Sequence, residues 1–280
     1  MPLQRLPTVV VSSLVAVLCI VVLLSATARL HDLATAPAGS GLSAVDGSHL
    51  AALRALFGWE VTAAAYHDAR THIIASSERL RSHRAASLAH VTGGVVVLLL
   101  GGLQFAHGVR RRLPMLHRWS GRTLLVAAVI TGASGLYLGV AVPYAGVAEA
   151  FPTSLFGMLF LLFGVRAYRA ARCGEYARHR EWMIRMFSLA AGVGTIRLVG
   201  LGLVSAGVGL REIIGWSFAI GWVTSLVAAE WWIRHTRFTP DIDSPIGMPA
   251  RKAVLSNIGM QAADADHEGL SERPVSARRT

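Results

Sequence analysis

SLAHVTGGVVVLLLGGLQFAH, residues 87–107, decides the fold. It holds no Asp, Glu, Lys or Arg, and its length matches the roughly 20 apolar residues that a helix needs to cross a bilayer. Five more stretches are long and largely apolar: about 8–26, 123–143, 153–171, 186–207 and 213–233. Of the 280 residues 53% are hydrophobic and only 15% charged, against about a quarter charged in soluble domains. The mean hydropathy is +0.50. Lipid is therefore the solvent for most of the chain. A backbone in lipid must satisfy its own N–H and C=O groups, which makes each stretch a helix. The expected fold is an all-α polytopic membrane bundle of about six transmembrane helices.

The first stretch follows Arg5 and runs into Ala26-Thr27-Ala28, a small-residue pattern like a signal-peptide cleavage site. Its apolar run exceeds the about 7–15 residues of a signal core, so residues 1–28 are read as an uncleaved first transmembrane helix. Arginine gives the orientation. Arg110, Arg111, Arg112, Arg118 and Arg122 follow the second stretch, and Arg166, Arg169, Arg172, Arg178, Arg180 and Arg185 surround the connection after the fourth. Arg5 precedes the first stretch, and Arg234 and Arg237 follow the sixth. By the positive-inside rule these segments face the cytoplasm, with both termini inside, in a multi-pass protein of the cell (inner) membrane.

The net charge of +11 then reflects topology and attraction of the basic cytoplasmic loops to anionic headgroups of the lipid bilayer. No nucleic-acid module accompanies it, so nucleic acid is not an expected partner. A homo-oligomer and a partner membrane protein both stay open. Residues 29–86 are assigned to an extracytoplasmic loop with one or two surface helices between about Ser48 and Arg84, residues 87–234 to a five-helix membrane core, and residues 235–280 to a disordered cytoplasmic tail. Cys19 and Cys173 fall at different depths and form no Cys-x-x-Cys pattern.

Polar residues inside the spans are costly and mark candidate sites. His90, Gly94, Gly101 and Gln104 lie within one stripe of the second span. That face is either a wall for a flat ligand, with polar handles at both ends, or a surface on which a neighbouring helix packs closely. In the fifth span His179, Met183, Met186, Ala190 and Arg197 recur near one face, with Arg197 about 18 Å above Arg185. Its expected partners are His90, Thr131, Ser134 or an acid group brought by a ligand. Ligand binding is thus assigned to His90, Gln104 and Arg197, and a polar cluster at the inner face to His117, Arg118, Arg122, His179, Arg185 and Glu230. Glu230 is expected to pair with Arg185 or Arg118. Gly135-x-x-x-Gly139 matches the small-x-x-x-small pattern of helix packing but does not by itself establish a dimer.

In the outer loop His67-Asp68 and His72 place two ligands on one helix face, short of a zinc set, so no metal site is assigned. No Gly-x-Ser-x-Gly elbow or Cys/His arrangement points to nucleophilic catalysis, and no enzyme activity is read.

HVTGGVVVLLLGGLQF from His90, RRRLPMLHRWSGR from Arg110, HREWMIRMFSLAAGVGTIRL from His179 and WVTSLVAAEW from Trp222 are four ordered motifs between about Ala89 and Arg234. They resemble an uncharacterised family of bacterial integral membrane proteins, the domain of unknown function 2306. The resemblance implies a multi-span bundle and points to His90, Gln104, His117, Arg118, Gly121, Arg122, His179, Trp182, Met183, Arg185, Arg197 and Glu230 as motif positions. The chain departs from the pattern at Thr123-Leu124-Leu125, where an aromatic is usual, and at Thr224, where asparagine is expected. The resemblance carries no activity with it.

Three functional classes follow from the spans: an accessory or binding protein with a polar intramembrane site for a small anionic or lipidic ligand, a haem- or quinone-linked redox protein, and a non-enzymatic membrane scaffold or accessory subunit whose polar residues serve packing. Bis-histidine ligation of haem b needs two imidazoles facing each other at one depth, and no span carries two well-spaced histidines. Absorption spectra of protein expressed with ample haem separate the redox class from the other two. The binding-protein reading predicts no Soret band, and a stoichiometric one contradicts it.

Overall fold

The structure is a computed structural model that describes residues 6–41, 47, 51, 63–205 and 210–237. Residues 48–50 and 52–62 of the segment expected at the surface, and the tail from 238, lie outside the described residues. Among the described residues eight α-helices are formed: α1 (Leu6–Thr35), α2 (Ala63–Ser82), α3 (Arg84–Phe105), α4 (His107–Arg112), α5 (Pro114–Leu136), α6 (Val147–Arg172), α7 (Tyr176–Ser205) and α8 (Leu210–Arg237). A π-helical turn, Tyr137–Ala141, extends α5. Met1–Ile233 is one compact unit, and Arg234–Thr280 is a second, described only at the end of α8.

Among the described residues five helices are long and apolar enough to cross a membrane: Val9–Thr35, Arg84–Phe105, Pro114–Ala141, Val147–Arg172 and Tyr176–Gly200. The sixth expected span lies on the 28-residue α8, about 42 Å long at 1.5 Å per residue. Several sequence boundaries move. The first helix continues to Thr35, nine residues past the expected end at 26, because nothing between Ala26 and Thr35 stops it: there is no Pro or Gly until Pro37. Pro114 occupies the first position of α5, where its missing N–H costs nothing, so that helix begins well before the apolar run at 123.

The helices pack antiparallel in chain order from α3 to α8. Arg110–Arg112 on α4 and Arg172 at the close of α6 share one end, the basic end, while α2 and the α5–α6 connection lie at the other. A core of Val97, Leu124, Phe156, Phe160, Met183 and Met186 joins α3, α5, α6 and α7. Outward, Val126, Val129, Met158, Val165 and Val227 are more than half exposed, the inverse of a soluble surface and suited to acyl chains.

Glycine sets the interhelical spacing. A Cβ on Gly101 would stand 2.3 Å from the Phe187 ring, on Gly132 2.5 Å from Leu161, and on Gly221 2.8 Å from the Ile196 backbone. Gly135 faces the His90 ring and Gly139 faces Thr153, so the Gly135-x-x-x-Gly139 pair is consumed inside the bundle. Pro152 supplies no N–H to the Ala148 carbonyl one turn back in α6, and Gly215 of α8 comes up against that carbonyl, a Cβ there standing 2.8 Å from the oxygen.

Gly221→Ala is expected to lower stability by about 1–3 kcal/mol, since backbone atoms cannot move aside, whereas Gly102→Ala, with nothing within 4 Å, changes it by less than about 0.5 kcal/mol. Thermal unfolding in detergent measures both.

Candidate functional site

The far end of the bundle carries the densest polar network. Asp32, 1% exposed, accepts from Arg81 Nη2 at 2.9 Å and from Arg29 Nη1 at 3.1 Å. Arg81, 4% exposed, also reaches Glu78 at 3.4 Å and the Gly41 carbonyl at 2.7 Å. Glu78 accepts from the Gly39 amide, and Arg29 donates to Ser77 at 3.0 Å. These bonds fasten α2 to the end of α1.

Arg79, two residues from Arg81 and so on a different face of α2, turns to the core. Its Nη1 lies 3.3 Å from the Leu138 carbonyl, 2.7 Å from that of Val142 and 3.0 Å from Glu149 Oε1. It thereby covers carbonyls that the π turn leaves without helical donors. Glu149, 3% exposed in the first turn of α6, receives the Tyr144 and Ala145 amides at 2.6 and 2.9 Å. A carboxylate at a helix N-terminus and a guanidinium at a helix C-terminus both suit the helix dipoles. His72–Tyr144 and His83–Tyr137 hydrogen bonds flank this clasp.

At the basic end Gln104 is buried between α3 and α5, donating to Ser120 Oγ at 2.6 Å and the His117 carbonyl at 3.2 Å. Gly121 makes room for it. His179 donates from Nδ1 to the Ala167 carbonyl of α6 at 2.9 Å, which leaves Nε2 as the acceptor in the neutral ring. His117 is near enough for the His179 and Arg110 charges to act on it, and its Nδ1 is buried without a hydrogen bond. Arg185 pairs with Glu230 through Nε and, at 3.0 Å, through Nη2, and lies 4.6 Å from the Trp182 ring centroid. Arg166 approaches the same ring at 5.1 Å. Arg118 and Arg122 are exposed, Arg122 against Trp119 at 5.0 Å.

His90 donates from Nδ1 to the Thr131 carbonyl at 3.0 Å. The His90–Gln104 stripe is therefore covered by α5, the closely packed helix being one of the two readings of that face, while Gly101 turns to Phe187 of α7. The two polar residues lie 14 positions apart, about 21 Å along α3, and each has its own partners.

Arg197 differs from expectation. Its expected protein partners do not meet it: His90 bonds to the Thr131 carbonyl, Ser134 to Ile130, and the Thr131 hydroxyl is buried without a hydrogen bond, while the Arg197 guanidinium donates to Ser25 Oγ of α1. The two helices cross at Gly194, where a Cβ would stand 3.0 Å from Leu18. Arg197 lies three residues beyond the crossing and Ser25 seven beyond Leu18, so the side chain climbs about 6 Å away from the basic end. Arg197 is exposed in the seam between the helices, and the charge acting on it is the like charge of Arg29. His90, Gln104 and Arg197 do not form one hydrogen-bonded site. His107, His67 and Asp68 have side chains outside the described residues, and among the described ones no three His, Cys, Asp or Glu come close enough to hold a metal ion.

This arrangement defines a class: an α-helical, multi-pass integral membrane protein whose intramembrane polar groups bond helix to helix. The chain belongs to the family described as predicted membrane protein, the domain of unknown function 2306, which matches residues 87–233. Comparison with curated proteins and with solved structures finds no match. The departures from the family pattern fall on exposed positions at Thr224 and Thr123, while Leu124 is fully buried in the core. Asp32, Arg79, Arg81 and Glu149 gave no individual sequence signal beyond the i,i+3 spacings Arg29–Asp32 and Glu78–Arg81.

Glu149→Gln is expected to cost about 3 kcal/mol, because the half-buried Arg79 loses the buried carboxylate that is its countercharge. Glu230→Gln, at a carboxylate 39% exposed, costs less than about 1 kcal/mol. Equal effects in chemical unfolding contradict this assignment of the clasp.

Proposed function

We propose that the protein is a membrane accessory or binding protein whose polar intramembrane site takes a small anionic or lipidic ligand at Arg197. The carrying observation is an exposed arginine below the polar rim, its guanidinium hydrogen-bonded to a neutral hydroxyl and neighboured by the like charge of Arg29. A cation at that depth is expensive, and ligand binding is among the few uses that justify it. A carboxylate or phosphate oxyanion would take the planar fork in two hydrogen bonds. His90 and Gln104 then support the site from a distance by locking α3 on α5.

In this reading the arginine-rich connections face the cytoplasm at the inner membrane, and both termini lie inside. Leu113, Met115, Leu116 and Trp119 are exposed beside Arg110–Arg112, Arg118 and Arg122, a composition suited to an interface with anionic headgroups.

A dansylated fatty acid titrated into the purified protein tests the site. Arg197→Gln is expected to weaken binding about tenfold or more, the worth of a charge-assisted hydrogen bond, and Arg197→Lys to retain most of it. Unchanged affinity in a folded Arg197→Gln protein refutes the assignment.

A further inference from the structure

We infer that the Arg197 site opens sideways to the bilayer and holds the oxyanion head of an amphiphile from the leaflet opposite the basic end, its chain lying along the exposed side of α1 outside the α1–α7 seam. This rests on the anionic-ligand reading of Arg197.

Access sets the route. Arg197 is exposed, and among the described residues exposed apolar side chains adjoin it and its partner Ser25 in sequence: Val21 and Leu24 on α1, and Leu198 on α7. In a bilayer these meet acyl chains. From the aqueous rim, an anion would instead descend past Arg29, Asp32 and Ser77, which are tied to one another. Among the described residues no hydrogen bond ties Val21, Leu24 or Leu198 side chains across the lateral path.

Depth matches the head of a lipid. Ser25 lies four residues below Arg29 and seven below Asp32 on α1, about 6–10 Å beneath the polar rim, so a head at Arg197 leaves its chain directed toward the membrane centre along the exposed α1 side chains. The crossing at Gly194 and Leu18 closes the seam below the guanidinium. It forms a floor for the head while the chain passes outside.

The full chain reconstituted in nanodiscs of phosphatidylcholine seeded with phosphatidylglycerol, then released into native mass spectrometry, tests the inference. Wild type is expected to retain phosphatidylglycerol, with retention falling about tenfold in Arg197→Gln. A diazirine on the acyl chain of the same lipid maps the site on wild-type protein, so the result does not depend on the variant folding. Cross-links are expected on the α1 segment 17–24 and on Leu198. Retention equal in both proteins, or cross-links spread evenly over the exposed faces of α5, α6 and α8, overturns the inference. Inorganic phosphate is the soluble arm: if it binds through Arg197 while the lipid does not, lateral entry is wrong and the anion site stands. If neither depends on Arg197, both fall.

Discussion

A bilayer offers no hydrogen bonds, and this constraint organises the protein. Every polar group carried into the apolar layer has to be answered by the chain or by something bound to it. His90 uses a backbone carbonyl of α5, Gln104 a hydroxyl and a carbonyl of the same helix, and His179 a carbonyl of α6. Arg185 has Glu230. These bonds depend on close helix approach, which the glycines allow: Gly135 receives the His90 ring and Gly121 the Gln104 amide. Polar side chains that resemble a ligand site in sequence are thus largely the fasteners of the bundle, and Arg197 is set apart by its exposure and its neutral partner.

Much of the architecture was legible because the helical period and the hydropathy of lipid-facing residues are local properties. The second span and the His90–Gln104 face emerged from residue types alone. What was not legible was which helix answers which face. His179 and Arg197 share an azimuth on α7, yet the first meets α6 and the second α1, because crossing helices change neighbours with depth. The wheel gives a direction and not a partner. For the same reason no sequence pattern singled out Asp32 or Glu149, although both are almost fully buried, each paired with an arginine of α2.

The family-matched part, residues 87–233, excludes α1 and α2. Those two helices are joined to each other by Asp32, Arg81 and Arg29, and to the matched core by Arg79 on the π turn and Glu149. The N-terminal segment thereby does two things: it covers the far end of the core, and it brings Ser25 against Arg197. The seam argued to receive an amphiphile exists only where this added helix lies along α7.

The central claim is that a lipid oxyanion answers Arg197. Solid-state NMR of guanidinium-15N-labelled protein in phosphatidylglycerol bilayers reads this contact through dipolar coupling to lipid 31P. The account predicts an arginine signal strongly dephased by phosphorus that disappears in Arg197→Gln while the rest of the arginine spectrum persists. A dephased spectrum identical in the two proteins contradicts it.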